Sequence, residues 1–240
     1  MIRDRFVAHI AKTLQLLGDS EGPARAGAAK VMAIETALAN ASMTGVQRRD
    51  PNAVYNKMTL AQLEALAPAF DWSAYLKVRG VPKVESIIVG QPDFFRTVGS
   101  MLKDVPLEDW KTYLRWQLVS EASPWLSSPF VNEDFEFRRL LSGAKEMQPR
   151  WKRCLQATDA ALGQALGEEY VRRTFTPAAK ARALAMVRNL EGVLRDRIAG
   201  LEWMGDSTRT RALAKLEAFG NKIGYPDKWR DYSTLKLSHG

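Results

Sequence analysis

The sequence predicts a mainly α, multi-helical domain with one or two short strands, and three observations carry that reading. Apolar residues recur three or four apart, as at Leu184, Val187, Leu190, Leu194, Ile198 and Leu201, which is the spacing of one helix face. Helix-start signals stand where such runs begin: Thr59 before Leu60, and Thr176 before Pro177, where a first-turn proline loses no hydrogen bond. Only Val84 to Val89, closed by Gly90, is β-branched enough to read as a strand, with Ile223 marking a possible second.

Taken in order, Phe6, Ile10, Leu14 and Leu17 share one face of a first helix, broken by Gly18 to Gly22. Val31, Ile34 and Leu38 form the face of a second, with Ala28, Ala29 and Ala37 allowing close approach, so the two are expected to pair antiparallel. Leu60, Leu63 and Leu66 make a third helix, and an aromatic cluster, Phe70, Trp72 and Tyr75, follows Pro68. Gln91-Pro92-Asp93-Phe94-Phe95 opens another helix, and Leu107 to Leu118 carries Trp110, Tyr113 and Trp116. The Ser/Pro-rich stretch from Ser120 to Phe130 reads as a loop, and Phe130 to Leu141 as a helix. From Thr176 the chain reads as a helix of roughly 25 residues, about 37 Å long. A corner at Gly200 and Gly205 follows, then a shorter helix capped by Asp206 or Ser207 and bearing Ala212, Leu213, Leu216 and Phe219. Pro226-Asp227 turns the chain before Trp229.

At 240 residues, 46% hydrophobic and 26% charged, the chain falls with ordinary globular proteins and can bury roughly 70% of its unfolded surface. No apolar run approaches the roughly 18 residues of a membrane span, and Met1 to Arg5 lacks the apolar core of a signal peptide. The net charge of +8 is concentrated at the C-terminal end: residues 138–240 hold 20 Lys+Arg against 11 Asp+Glu. These cations lie on polar helix faces among carboxylates, without a basic block interleaved with aromatics, which speaks for solvated helices rather than a nucleic-acid surface.

Catalytic chemistry is sparse. The histidines are His9 and His239, and the single cysteine, Cys154, leaves no intrachain disulfide. Glu133, Asp134 and Glu136 could suggest acid/base work or a hard cation, but without a histidine close in sequence they read as a solvated helix face. No Gly-x-Ser-x-Gly elbow or phosphate-binding Gly-x-x-x-x-Gly-Lys loop is present. Catalytic residues: none; metal ligands: none.

Several runs resemble the N-terminal region of neprilysin-like zinc metallopeptidases, in the same order. They are Arg49-Asp50-Pro51 with Tyr55-Asn56-Lys57-Met58-Thr59, and Gln91-Pro92-Asp93-Phe94-Phe95 with Trp110-Lys111 and Tyr113-Leu114. Leu141-Ser142-Gly143 follows, then Pro149-Arg150-Trp151-Lys152-Arg153 and Leu166-Gly167 with Tyr170-Val171. Last come Trp203-Met204, Thr208, Ala212, Lys215 and Ile223-Gly224-Tyr225-Pro226-Asp227. The likeness runs from about Phe6 to Leu235. Asn52-Ala53-Val54-Tyr55 also looks like the substrate-holding strand of those enzymes, but that strand lies in their catalytic half, so no role is carried over.

The resemblance implies that residues 1–240 are most of the non-catalytic helical lobe of such a metalloendopeptidase, enclosing a chamber for small peptides. It implies that the chain stops before the zinc domain and begins after the leader or anchor. Zinc would then belong to the complete enzyme, held by a His-Glu-x-x-His helix and a later glutamate that this chain does not contain. The implied partners are the catalytic domain and peptide substrates, in an extracytoplasmic setting. Cys154 matches a position that can be a half-cystine, and without a partner it is expected to be a buried thiol. Trp203, Tyr225 and Trp229 are expected at an apolar surface facing the catalytic half. The alternative is a stand-alone helical module that binds a protein or an anionic partner.

Overall fold

The computed structural model describes residues 2–81, 83–236 and 238, and divides into two compact units, 1–147 and 148–240. Its described residues form ten α-helices and one two-stranded sheet, so the chain is mainly α.

The first unit is built on α1 (Ile2–Leu16) and α2 (Glu21–Ala41), which pack together and against α6 (Leu107–Ala122). Ile10 and Leu14 of α1 are buried among Ala24, Ala28 and Val31 of α2 and Trp116 and Val119 of α6. The small residues of α2 let the helices approach, and the large ones fill the seam between them. Polar ties fix the register: Lys30 to Asp109 at 2.6 Å, Arg115 to Asp19 at 2.7 Å, and the Tyr113 hydroxyl donating to Glu35 at 3.2 Å.

A second cluster lies around α3 (Leu60–Leu66), α4 (Trp72–Val78) and α5 (Pro92–Asp104). Leu63, Ala67, Trp72 and Val89 are buried there. Thr59 and Gln62 form a reciprocal capping box at the start of α3, and Asp71 caps α4 by accepting from the Ala74 N–H at 2.8 Å. At Gly99 a Cβ would lie 2.9 Å from the Ala67 Cα, so this crossing requires glycine. Strands β1 (Lys57–Met58) and β2 (Ile87–Ile88) pair antiparallel, Lys57 opposite Ile88. The expected strand from Val84 thus pairs only over two residues.

The expected loop from Ser120 to Phe130 is instead mostly helical. Helix α6 runs to Ala122, a 3₁₀ turn covers Ser123–Trp125, and α7 begins at Ser128 and ends at Ser142. Pro124 and Pro129 sit in first turns, where proline removes no needed donor, so they start helical segments rather than interrupt them.

The second unit holds α8 (Arg150–Thr174), α9 (Pro177–Ala199) and α10 (Asp206–Glu217). Thr176 caps α9 through the Ala179 N–H at 3.2 Å, with Pro177 in the first turn. Gly205, rather than Asp206 or Ser207, occupies the N-cap of α10. Helix α8 bends at Leu162 (φ −129°, ψ 33°), beside Gly163. Ile223 lies in irregular chain and not in a strand.

Candidate functional site

The carboxylates of α7 do not form a solvated face alone. His9, 124 residues away in sequence, places Nδ1 3.0 Å from Glu133 Oε1. The His9 ring is 6% exposed, stacked on Phe137 at 4.7 Å and edge-on to Trp116 at 5.4 Å. Asp134 is buried, and both of its carboxylate oxygens lie 2.7 Å from Arg138 Nε and share its single N–H, while Glu136 pairs with Arg139 at 2.8 Å. The His9–Glu133 bond and the His9–Phe137 stack tie α7 to α1, whereas Asp134 and Glu136 are engaged by arginines of α7 itself. Periodicity could not have found the pair, because it comes from helix packing.

Cys154 is exposed, not buried. Helix α8 buries none of its residues within its unit, so a thiol near its start stays in solvent. Asn52 to Val54 lie in turns, the Asn52 N–H donating to Asp50 at 2.9 Å, and no substrate-holding strand forms there. His239 lies outside the described residues. Among the described residues no three His, Cys, Asp or Glu side chains group as a metal site, and no helix is long and apolar enough to cross a membrane.

The C-terminal corner does form a compact knot. The Lys180 side chain is 17% exposed, and its ammonium donates to the Tyr225 carbonyl at 2.7 Å and to Asp227 at 2.6 Å and lies 4.3 Å from the Tyr225 ring centroid. Tyr225 stacks on Trp229 and meets Phe175 edge-on, both at 6.0 Å. Trp229 covers Gly167, whose missing side chain leaves room for the indole. Lys180 holds the Asp227 carboxyl below the usual carboxylate range, first by its hydrogen bond and then by its charge. Tyr225 and Trp229 are therefore half-buried members of this knot, whereas Trp203 is 76% exposed.

What remains is an apolar surface. Among the described residues of the second unit Leu216 is the buried hydrophobic one, while Met186, Leu190, Val193 and Leu194 of α9 stay exposed. Met186, Leu190 and Val193, spaced four and three apart, lie on one stripe of α9, and Leu194 stands between that stripe and the half-buried face of Leu184, Val187 and Ile198. Trp151, Leu155 and Tyr170 are exposed on α8, where an open cavity of about 700 Å³ lies in the bend and is lined by Leu155, Leu166 and Tyr170. Some of the cations here have partners: Arg172 pairs with Glu169, and Arg209 with Asp206 and with the Leu201 and Met204 carbonyls.

A family model described as peptidase family M13, for the N-terminal part, matches residues 1–226. Endothelin-converting enzyme 1 is 32% identical in Mus musculus and 30% in Homo sapiens, each over 228 residues, 92% of this chain and 30% of that protein. Among solved structures, the Mycobacterium tuberculosis zinc metalloprotease Zmp1 in its open state is similar at 40% identity with a TM-score of 0.83. That match covers 98% of this chain and 37% of that one. PepO of Lactobacillus rhamnosis shares the fold, with a TM-score of 0.80 at 19% identity over 95% of this chain and 36% of that one. The chain spans about a third of the length of these relatives.

Proposed function

Because the chain belongs to peptidase family M13 as its N-terminal region, we propose that it is the helical, non-catalytic lobe of a neprilysin-like zinc metalloendopeptidase. In this reading it encloses the chamber in which the complete enzyme cleaves small peptides, in an extracytoplasmic setting. The observation that carries it is the second unit's apolar surface, with Met186, Leu190, Val193 and Trp203 exposed and Leu216 buried. Exposed apolar residues on one helix stripe mark a surface that another body covers, and the catalytic half of the same enzyme is that body.

The described residues do not fit a zinc site. A catalytic zinc takes three protein ligands in fixed geometry with one position left open. His9 Nδ1 is already bound to Glu133 inside an aromatic sandwich, and Cys154 belongs to the other unit. Zinc therefore belongs to the catalytic half, and this chain alone is inactive.

The test uses the purified chain. It should leave a quenched fluorescent peptide intact with or without added zinc, and bind a hydrophobic dye that co-expressed catalytic half displaces. Stoichiometric zinc with chelator-sensitive hydrolysis would overturn the reading. A dye-silent, monodisperse monomer would favour the stand-alone interaction module.

A further inference from the structure

Burial is divided unevenly between the two units. Ile10, Leu14, Val31, Leu63, Trp72 and Trp116 are fixed in two buried clusters, and all of them belong to the first unit. Among its described residues the second unit contributes Leu216 and no other buried hydrophobic side chain. Helices α8 and α9 bury none of their residues. Apolar burial is the main favourable term in folding, while every ordered residue costs conformational entropy whether or not it is buried. The second unit therefore orders its chain with little burial to offset that cost.

What holds it is mostly polar. The Arg172–Glu169 and Arg209–Asp206 pairs join residues three apart on one helix, and such surface pairs contribute little. Most longer ties gather at the knot of Lys180, Tyr225 and Asp227, where Trp229 covers Gly167 and the Arg230 N–H donates to the Gln164 side chain at 2.7 Å. Gln164 and Gly167 lie beyond the bend at Leu162, so the knot holds only the later half of α8. In residues 150–161, Arg153 reaches only the Gln148 carbonyl and the Thr158 hydroxyl only the Cys154 carbonyl. Among the described residues no hydrogen bond, ion pair or ring contact joins that first half of α8 to another helix.

We propose that the second unit is conditionally ordered: it opens by itself, under conditions in which the first unit stays closed. Opening begins in residues 150–161, which nothing pins, and reaches the Lys180 knot last. Local opening of this kind follows contiguous cooperative units, and a unit with few buried apolar contacts lies at the low-stability end. The chain thus joins a preformed body to a unit whose order rises with any added burial of its apolar surface. The proposal rests on burial within this chain alone, so the lobe reading can fail without touching it, and the reverse holds as well.

The test is amide hydrogen exchange of the full chain, read by mass spectrometry on peptic fragments across a urea series. After correction for intrinsic rates, fragments from 148–240 should exchange roughly a hundredfold faster than those from α1, α2 and α6, and lose protection at lower urea. Within the second unit, fragments from 150–161 should exchange first and those holding Lys180 last. Leu216→Ala should speed exchange across 148–240 by at least roughly tenfold and leave α1 and α2 unchanged. Leu190→Lys should change it by less than about twofold, because that side chain is uncovered and the two residues have similar helix propensity. Equal protection of the two units, lost at one urea concentration, would overturn the proposal. So would exchange roughly tenfold faster in Leu190→Lys, which would show α9 packed rather than bare.

Discussion

Lys180 and Tyr225 are joined twice: the ammonium donates to the Tyr225 carbonyl at 2.7 Å and lies 4.3 Å from the centroid of the same ring. One side chain near the start of α9 thereby anchors the tail that leaves α10, and Asp227 is held by the same cation. The first prediction concerns pH. The Asp227 carboxyl is depressed in the folded state, so its contribution is present above the ordinary carboxylate pKa of about 3.9 and lost as pH falls through the depressed value. Near-ultraviolet dichroism from Tyr225 and Trp229 should fade in that acid window, and Lys180→Met should remove the window by weakening the knot at every pH. Because Asp227 is 98% exposed, added salt should weaken the dependence.

Gly224→Ala should destabilise the second unit. Gly224 has φ +72°, and a Cβ there would stand 2.7 Å from Phe175 Cε1. The left-handed backbone alone costs about 1–2 kcal/mol for another residue, and displacing the Phe175 ring adds to it. Urea denaturation should show the loss, while Gly45→Ala, with nothing within 4 Å, should be close to neutral.

His9→Ala should cost the first unit about 2–4 kcal/mol, since it removes a stacked ring and leaves Glu133 without its partner. His9→Phe keeps the ring and loses only the bond, so its cost should be smaller. A His9→Phe variant that melts with the wild type would show that the Glu133 contact contributes nothing, whereas equal melting temperatures for the two variants would show that the stacked ring contributes nothing.

Cys154 should react with one equivalent of an aromatic disulfide reagent in the native state, at a rate within roughly tenfold of the urea-unfolded chain. Reaction only after unfolding would contradict its exposed position.

Features set by short-range contacts were legible. The Thr59 and Thr176 caps act on N–H groups three residues away, so four letters suffice to place them. The Ser120–Phe130 stretch was misread because serine and proline serve turns and helix first turns alike, and only the continuing backbone bonds separate the two. The strand from Val84 shrank because its length is set by β1, which lies 30 residues earlier and pairs over two residues. Of the three aromatic residues expected at an apolar surface, only Trp203 stands well exposed. Tyr225 and Trp229 are drawn in by Lys180, Phe175 and Gly167, partners spread over some 60 residues of chain.

The sequence by itself determined the helical class, most helix starts and the family, since these rest on local hydrogen bonding, 3.6-residue periodicity and ordered runs of uncommon residues. Tertiary structure alone decided that His9 meets Glu133, that Cys154 stays in solvent, and that Met186 and Leu190 stand uncovered. Each of these depends on which surfaces meet across tens of residues of chain, and packing geometry sets that where local propensity does not.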